Sequence, residues 1–346
     1  MSNEHVLRDR DESSEAQGRG AVQMDRREFL RRAALTGAGA VVAAARGVAA
    51  GAGESPGALA TRVLGRTKRK VTVLGLGTAP VGEGPVGVEE GVRIFGAVLD
   101  RGVTYVDTAR IYGNAEEILG HLLPKRRDEL FVTTKVSTHQ AAAAEKSLEQ
   151  SLRLLKVECV DLVHIHSIGS KKIEQVLAKD GVLNYLLKQK EAGKCRFVGI
   201  SGHNRPGNFV QMLKTDQIDV IMPVMNYADR NIYGFEATAL PEARKRNVGV
   251  VAMKVYAGIK GGFRNHKSGH VGCATPAERL PAALAYALDL EGVHLAVVGP
   301  YTVEQAVQNV EFARKYKPLS PEQLRDLLAY GKELAPTLGP RYGPVS

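Results

Sequence analysis

Four residues of types that move protons stand at, or just beyond, the ends of short apolar runs. Val103 to Val106 are the β-branched and aromatic types that suit a buried strand, so Asp107 falls where that strand ends. Tyr112 follows five residues later in the same stretch, VTYVDTARIYG. ELFVTTK (129–135) closes on Lys135, and CVDLVHIH (159–166) closes on His166. Asp107 and Tyr112 alone read equally well as a capping carboxylate and a loop phenol. Asp, Lys and His at the ends of three separate strands, with a Tyr beside them, read as one polar site built on a parallel sheet.

The chemistry of such a set is proton donation. A free phenol, with a pKa near ~10, is a poor acid at neutral pH. A neighbouring ammonium stabilises the phenolate and lowers that pKa, while a carboxylate keeps the ammonium charged and oriented. An imidazole can position a carbonyl oxygen beside the phenol or relay its proton. The set holds no nucleophile and no reducing equivalent, so a hydride-carrying cofactor is its natural complement.

The elements that must position these groups alternate strand and helix from Thr61 onward. Strand-like runs are 71–77, 103–107, 129–135, 159–166, 196–201, 219–224, 248–254 and 293–299. Helix-like stretches between them include Glu89–Asp100, Ala141–Leu155, Lys172–Ala192, Phe235–Arg246, Pro276–Leu290 and Val303–Lys315. Eight βα units in roughly 250 residues give an α/β fold closed as a (β/α)8 TIM barrel, with an open doubly wound sheet as the competing layout. Thr61–Arg69 is expected as a short hairpin across the barrel's bottom, and Ser320-Pro-Glu-Gln as the start of an extra C-terminal helix. In a barrel the catalytic groups sit at the C-terminal strand ends, where Asp107, Lys135 and His166 fall.

Composition narrows the function classes. The 346 residues are 44% hydrophobic, enough for a large core, but only 5% aromatic with no Trp, which argues against a stacking surface for bases or sugars. The net charge is +10, and its Lys and Arg are dispersed rather than striped along one helix, so nucleic acid is not an expected partner. Cys159, Cys195 and Cys273 are too few and too far apart for a disulfide framework or a zinc knuckle.

The first 52 residues read as an address. Polar residues 1–23 are expected to be disordered; MDRREFLRR (24–32) then precedes Ala33 to Ala45, a stretch without charge. RREFL resembles a twin-arginine export motif with Arg26 and Arg27 as the pair. Ala50-Gly51-Ala52 offers an A-x-A cleavage site, so export to the periplasm or exterior by the twin-arginine machinery is expected, with the signal removed near Ala52. Residues 53–60 read as a linker and 61–346 as the barrel with its C-terminal helix.

The chain from Thr61 to about Leu334 resembles the aldo-keto reductases, NAD(P)H-dependent (β/α)8 enzymes. DTARIYG resembles that family's D-x-A-x-x-Y-G segment, TTKV its lysine strand, DLVHIH its D-L-x-x-x-H strand, and GKCRFVGIS (193–201) its G-K-x-R-x-x-G-x-S strand. The resemblance implies reduction of a small carbonyl substrate with Tyr112 as general acid, Lys135 and Asp107 as its tuning pair, and His166 orienting the carbonyl. It also implies that Gly77, Thr78 and Ser201 line a cleft for NADP or NAD, with Asn309 against the adenine. The chain departs from the pattern at several points. Gly202-His203-Asn204 follows Ser201 where the family has Asn at once, which leaves Asn204 for the nicotinamide amide. Met222 replaces a Gln. Met253 replaces the stacking Tyr and is followed by Lys254, a residue able to meet a pyrophosphate. SGHN and AMK also occur in a divergent branch of the family, some of whose members carry an iron–sulfur module; no such cysteine cluster exists here.

Other readings compete. A nucleotide-binding sensor of the same fold would turn over little. A Schiff-base lyase would use Lys135 as nucleophile. A metal-dependent hydrolase would use His164 and His166, which alternate on one strand face. Arg110 could meet an anionic substrate group or simply sit on the surface. Ala257–Thr275, Gly-rich and cationic, reads as a mobile loop over the cleft.

Overall fold

The run 71–77 divides at Val73. In the computed structural model, which describes residues 57–260 and 272–346, Lys70–Thr72 (β2) pairs antiparallel with Thr61–Val63 (β1). Leu74–Gly77 (β3) is the first barrel strand. The bottom hairpin therefore takes in the start of the run that reads as a single strand. Its turn is pressed under the barrel: Gly65 has φ 46°, and a Cβ there would collide with the backbone of Val248 and Gly249. Leu64 is fully buried beside it, and the Arg66 N–H donates to the Asn247 carbonyl at 2.6 Å. One end of the barrel is thereby stoppered.

The other seven barrel strands are Tyr105–Asp107 (β4), Phe131–Val136 (β5), Val160–Ile165 (β6), Cys195–Gly202 (β7), Val220–Pro223 (β8), Gly249–Ala252 (β9) and Leu295–Val298 (β10). All are parallel, and β10 returns to β3, so the sheet is closed and the open doubly wound alternative does not apply. Gly77 lies opposite Asp107, Asp107 opposite Thr133, Lys135 opposite His164, His164 opposite Gly199, and Ser201 opposite Met222. Register partners share a face, so these side chains project together into the barrel. Gly199 makes room for the His164 ring, which a Cβ would strike at 2.6 Å. Two carboxylates pin the register from below. Asp161 accepts from the Val132 N–H and Asp219 from the Val198 N–H, both at 2.9 Å.

Helices fill the crossovers. The stretch Val88–Leu99 buries Ile94, Phe95, Val98 and Leu99 on one face, and Ala141–Leu155 keeps the span read from sequence. Lys172–Ala192 is not one helix but two, Ile173–Val176 and Val182–Glu191. The break is at Gly181, where a Cβ would stand 2.5 to 2.8 Å from three carbonyl oxygens of the preceding turn. The C-terminal helix Pro321–Leu338 starts with a capping box between Ser320 and Gln323.

The leader, residues 1–52, and the first part of the linker lie outside the described residues, as does the middle of Ala257–Thr275. The described ends of that segment meet in a bridge between Ile259 and Cys273. Among the described residues no helix is long and apolar enough to cross a membrane.

Candidate active site

The ends of β4 and β5 bring Asp107 and Lys135 into a buried ion pair. The Lys135 Nζ donates to both carboxylate oxygens at 2.7 Å and to the Thr108 carbonyl at 2.9 Å, so each ammonium proton has an acceptor. Thr133 donates to Asp Oδ1 at 3.1 Å. Thr78 fixes the Asp107 backbone, its N–H and hydroxyl donating to that carbonyl at 3.1 and 3.0 Å.

Tyr112 covers this pair. The Lys135 Nζ stands 4.7 Å from the phenol ring centroid, and His166 meets the same ring edge-on at 5.8 Å and 83°. His166 Nδ1 is 3.2 Å from the Ser137 hydroxyl, which orients the imidazole. The loop carrying Tyr112 is held by Glu116, a fully buried carboxylate. It accepts from the Thr134 hydroxyl at 2.6 Å and pairs with Arg110 at 2.5 Å. Arg110 is thus tied down as a loop clamp and is not among the residues lining the cavity described below.

The electrostatics differ from the sequence reading in one respect. The Tyr112 phenol is pushed well above 10, not lowered, first by burial and then by the carboxylates of Asp107 and Glu83. Lys135 does not offset this, because its charge is engaged by Asp107; burial itself pulls the Lys135 amine below its usual value. The phenol is therefore held neutral. Burial also keeps His164, His166 and His203 well below 6.5, with Lys135 adding to each, and brings His294 down to about 4. Four imidazoles are neutral in the folded chain and free to charge in the unfolded one. Below pH ~6.5 the unfolded state binds more protons, so stability must fall as pH falls, by up to ~1.4 kcal/mol per pH unit for each such group. Urea midpoints at pH 7.5, 6.0 and 5.0 should decline in that order; an unchanged midpoint would contradict the neutral imidazoles.

Above these groups opens a cavity of about 920 Å³, at the upper end of the range for small-molecule sites. Asp107, Tyr112 and His166 are part of its wall. Gly77, Thr78, Met222, Met253 and Lys254 line it too, as do Gln305, Gln308 and Asn309. Asn204 also lines it, buried against Gly169 and Gly343, neither of which has room for a Cβ. Two expected residues stay behind the wall. Lys135 acts only through Asp107 and Tyr112, and Ser201 is buried with its hydroxyl lacking a partner among the described residues.

Several lining residues had no sequence signal. Tyr256 donates to Asn309 Oδ1 at 3.0 Å, and Glu83, His203 and Tyr301 complete the wall. Tyr342 comes from the C-terminal strap. There Arg341 makes a bidentate pair with Asp229, 2.8 Å at each oxygen, and also reaches the Ala257 carbonyl at 3.0 Å. The Tyr342 ring then lies against His203 at 5.0 Å and Tyr233 at 5.8 Å.

The arrangement disfavours two competing chemistries. The Lys135 amine faces Asp107 rather than the cavity, which removes it as a Schiff-base nucleophile. Among the described residues no group of three His, Cys, Asp or Glu is placed to hold a metal, so His164 and His166 lack a further ligand.

Comparison with known proteins agrees with this geometry. The family model described as "Aldo/keto reductase family" matches residues 73–279. L-galactose dehydrogenase of Arabidopsis thaliana is 26% identical over 294 residues, covering 76% of this chain and 90% of that protein. The holo form of an aldo-keto reductase from Bacillus halodurans superposes with a TM-score of 0.63 at 25% identity, covering 77% of this chain and 95% of the other. An aldo-keto reductase from Klebsiella pneumoniae in complex with NADPH gives 0.62 at 24% identity, covering 78% and 94%.

Proposed function

The chain belongs to the aldo/keto reductase family, and from that premise we propose that it is an NAD(P)H-dependent oxidoreductase interconverting an alcohol and an aldehyde or ketone. The observation that carries this reading is the continuity of the site. A neutral phenol over a buried Lys–Asp pair stands in the wall of a cavity that also offers the amides of Gln305, Gln308 and Asn309. The residues fit a dinucleotide. Met222 and Met253 give apolar contact for a ring, and Lys254 a cation for phosphate. The bound NADPH of the Klebsiella relative supports NADP(H) as the cofactor.

The cofactor, when bound, supplies or accepts the hydride. His166, neutral and oriented by Ser137, donates a hydrogen bond that places the carbonyl oxygen beside Tyr112. As charge builds on that oxygen it becomes a far stronger base than a phenolate, so Tyr112 gives up its proton even though its pKa is raised. The Lys135 ammonium, 4.7 Å from the ring, stabilises the phenolate left behind. Asp107 keeps that ammonium fixed and charged.

The same proposal includes export. Arg26 and Arg27 direct the chain through the twin-arginine route, and cleavage near Ala52 leaves the linker and barrel, residues 53–346, as the mature enzyme. Mass spectrometry of protein purified from the exported fraction tests both parts. The expected result is a mature N-terminus near Gly53 and NADP or NAD released on denaturation, or bound on titration. An intact leader overturns export, and failure to bind either nucleotide overturns the oxidoreductase.

A further inference from the structure

Lys and Arg residues that are dispersed along the chain are gathered by the fold at the end of the barrel away from the cavity. The bottom hairpin contains no acidic residue, and its Lys68, Arg69 and Lys70 are consecutive and exposed. They stand on a fixed turn: the Leu64 N–H donates to the Arg69 carbonyl at 2.8 Å and the Lys68 N–H to the Gly65 carbonyl at 3.3 Å. The hairpin is seated beside the turns that lead into β8 and β9. Arg66 donates to the Asp216 carbonyl at 3.0 Å and to the Arg246 carbonyl at 2.5 Å. Those turns add Lys214 and Lys245, and the turn before β7 adds Lys194, all three exposed. The acids nearby are consumed within the face: Asp216 and Glu242 pair with Arg246, and Asp219 with Lys190. Glu191 is left without an ion pair among the described residues, against six such cations. An apolar group stands among them. Val63, 55% exposed, is the register partner of Lys70 and so shares its face of the hairpin. The chain also enters the fold here, since β1 opens at Thr61 and the uncharged stretch Ala33 to Ala45 lies upstream of it in the sequence.

We propose that this basic face is a docking surface for a bilayer of anionic phospholipid, which holds the barrel base-down with the mouth of its cavity turned to the water. The proposal requires neither the oxidoreductase reading nor export. Each Lys or Arg brought within a Debye length of an anionic leaflet raises partitioning about fivefold, so the three on the hairpin together give about 100-fold. Val63 adds apolar contact at the boundary between headgroups and acyl chains, the pairing of charge with exposed carbon that interfacial binding uses. A nucleic acid fits the face less well. The hairpin and the three turns hold no aromatic side chain to stack on a base, and a phosphate backbone offers nothing to Val63. The catalytic groups stand at the C-terminal ends of the strands, so contact through the opposite end leaves the cavity open to substrate.

The test is co-sedimentation of the full chain with vesicles of phosphatidylcholine alone and of phosphatidylcholine with about a third phosphatidylglycerol, at ionic strengths from about 0.05 to about 0.3 M. The wild type should bind the anionic vesicles, bind the neutral ones far less, and come off as salt rises. Lys68→Gln/Arg69→Gln/Lys70→Gln should lower the partition coefficient about 100-fold at low salt. Val63→Ser should lower it about threefold to tenfold and keep the salt dependence. Lys172→Gln/Lys179→Gln, which removes two exposed cations at the mouth end, should leave it within about twofold. Every variant retains residues 1–52, so whatever the leader contributes is common to all of them. Circular dichroism and melting temperature should match the wild type, because the replaced side chains are exposed. Equal binding to neutral and anionic vesicles overturns the proposal, as does a hairpin variant that binds like the wild type. A hairpin variant that loses binding to duplex DNA while keeping its hold on vesicles reassigns the face to nucleic acid and overturns it too.

Discussion

Tyr112→Phe is expected to lower kcat by about 10²- to 10⁴-fold, the usual yield of a positioned general acid, and to leave NADPH affinity nearly unchanged. The prediction follows from where the hydroxyl sits. The ring is held by contacts a Phe keeps: the edge of His166 at 5.8 Å and the Lys135 ammonium at 4.7 Å from its centroid. The hydroxyl alone is lost, and with it the proton donor. Circular dichroism and nucleotide titration should match the wild type while steady-state reduction of a carbonyl panel collapses. Turnover that persists in this variant would remove Tyr112 from the role of acid. A wild type that binds nucleotide tightly but reduces nothing at a rate above the variant's would favour the sensor reading.

Lys135→Met should destabilise the fold by about 3–5 kcal/mol, the cost of leaving one member of a buried ion pair without its partner. Asp107 would then keep only the Thr133 hydroxyl as a side-chain donor, at 3.1 Å, for a carboxylate almost wholly buried in the protein. Activity should fall as well, since the phenolate formed in reduction loses its cation. The two effects can be separated. In the double variant Asp107→Leu/Lys135→Met the buried charges vanish together, and most of the lost stability should return because an apolar pair of similar volume replaces an ionic one. Activity should not return. If the double variant is as unstable as the single one, packing rather than unpaired charge explains the loss.

Much of the positioning frame can be read from the chain because strands announce themselves by composition and end at marked residues. Asp107, Lys135 and His166 close apolar runs, and the parallel closed sheet places those ends on one rim. What escapes such reading comes from elsewhere. The hairpin's claim on Lys70–Thr72 is invisible because its strand and β3 share one unbroken apolar pattern across Val73. The raised Tyr112 pKa depends on which neighbour captures the Lys135 charge, a matter of distances rather than residue types. Arg110 has the right charge and place to meet a substrate, yet Glu116, six residues on, claims it first. Tyr256, His203 and Tyr342 lie outside regular elements, where no periodicity marks which side chains turn inward.

The strap that carries Tyr342 also sets an order of events in the making of the protein. Tyr342 follows the helix Pro321–Leu338, whereas the last barrel strand is already finished by Val298. A nascent chain can therefore close its barrel while the segment that completes the pocket has yet to leave the ribosome. Any nucleotide captured during synthesis meets a pocket with one side open, and full enclosure waits for the strap to emerge.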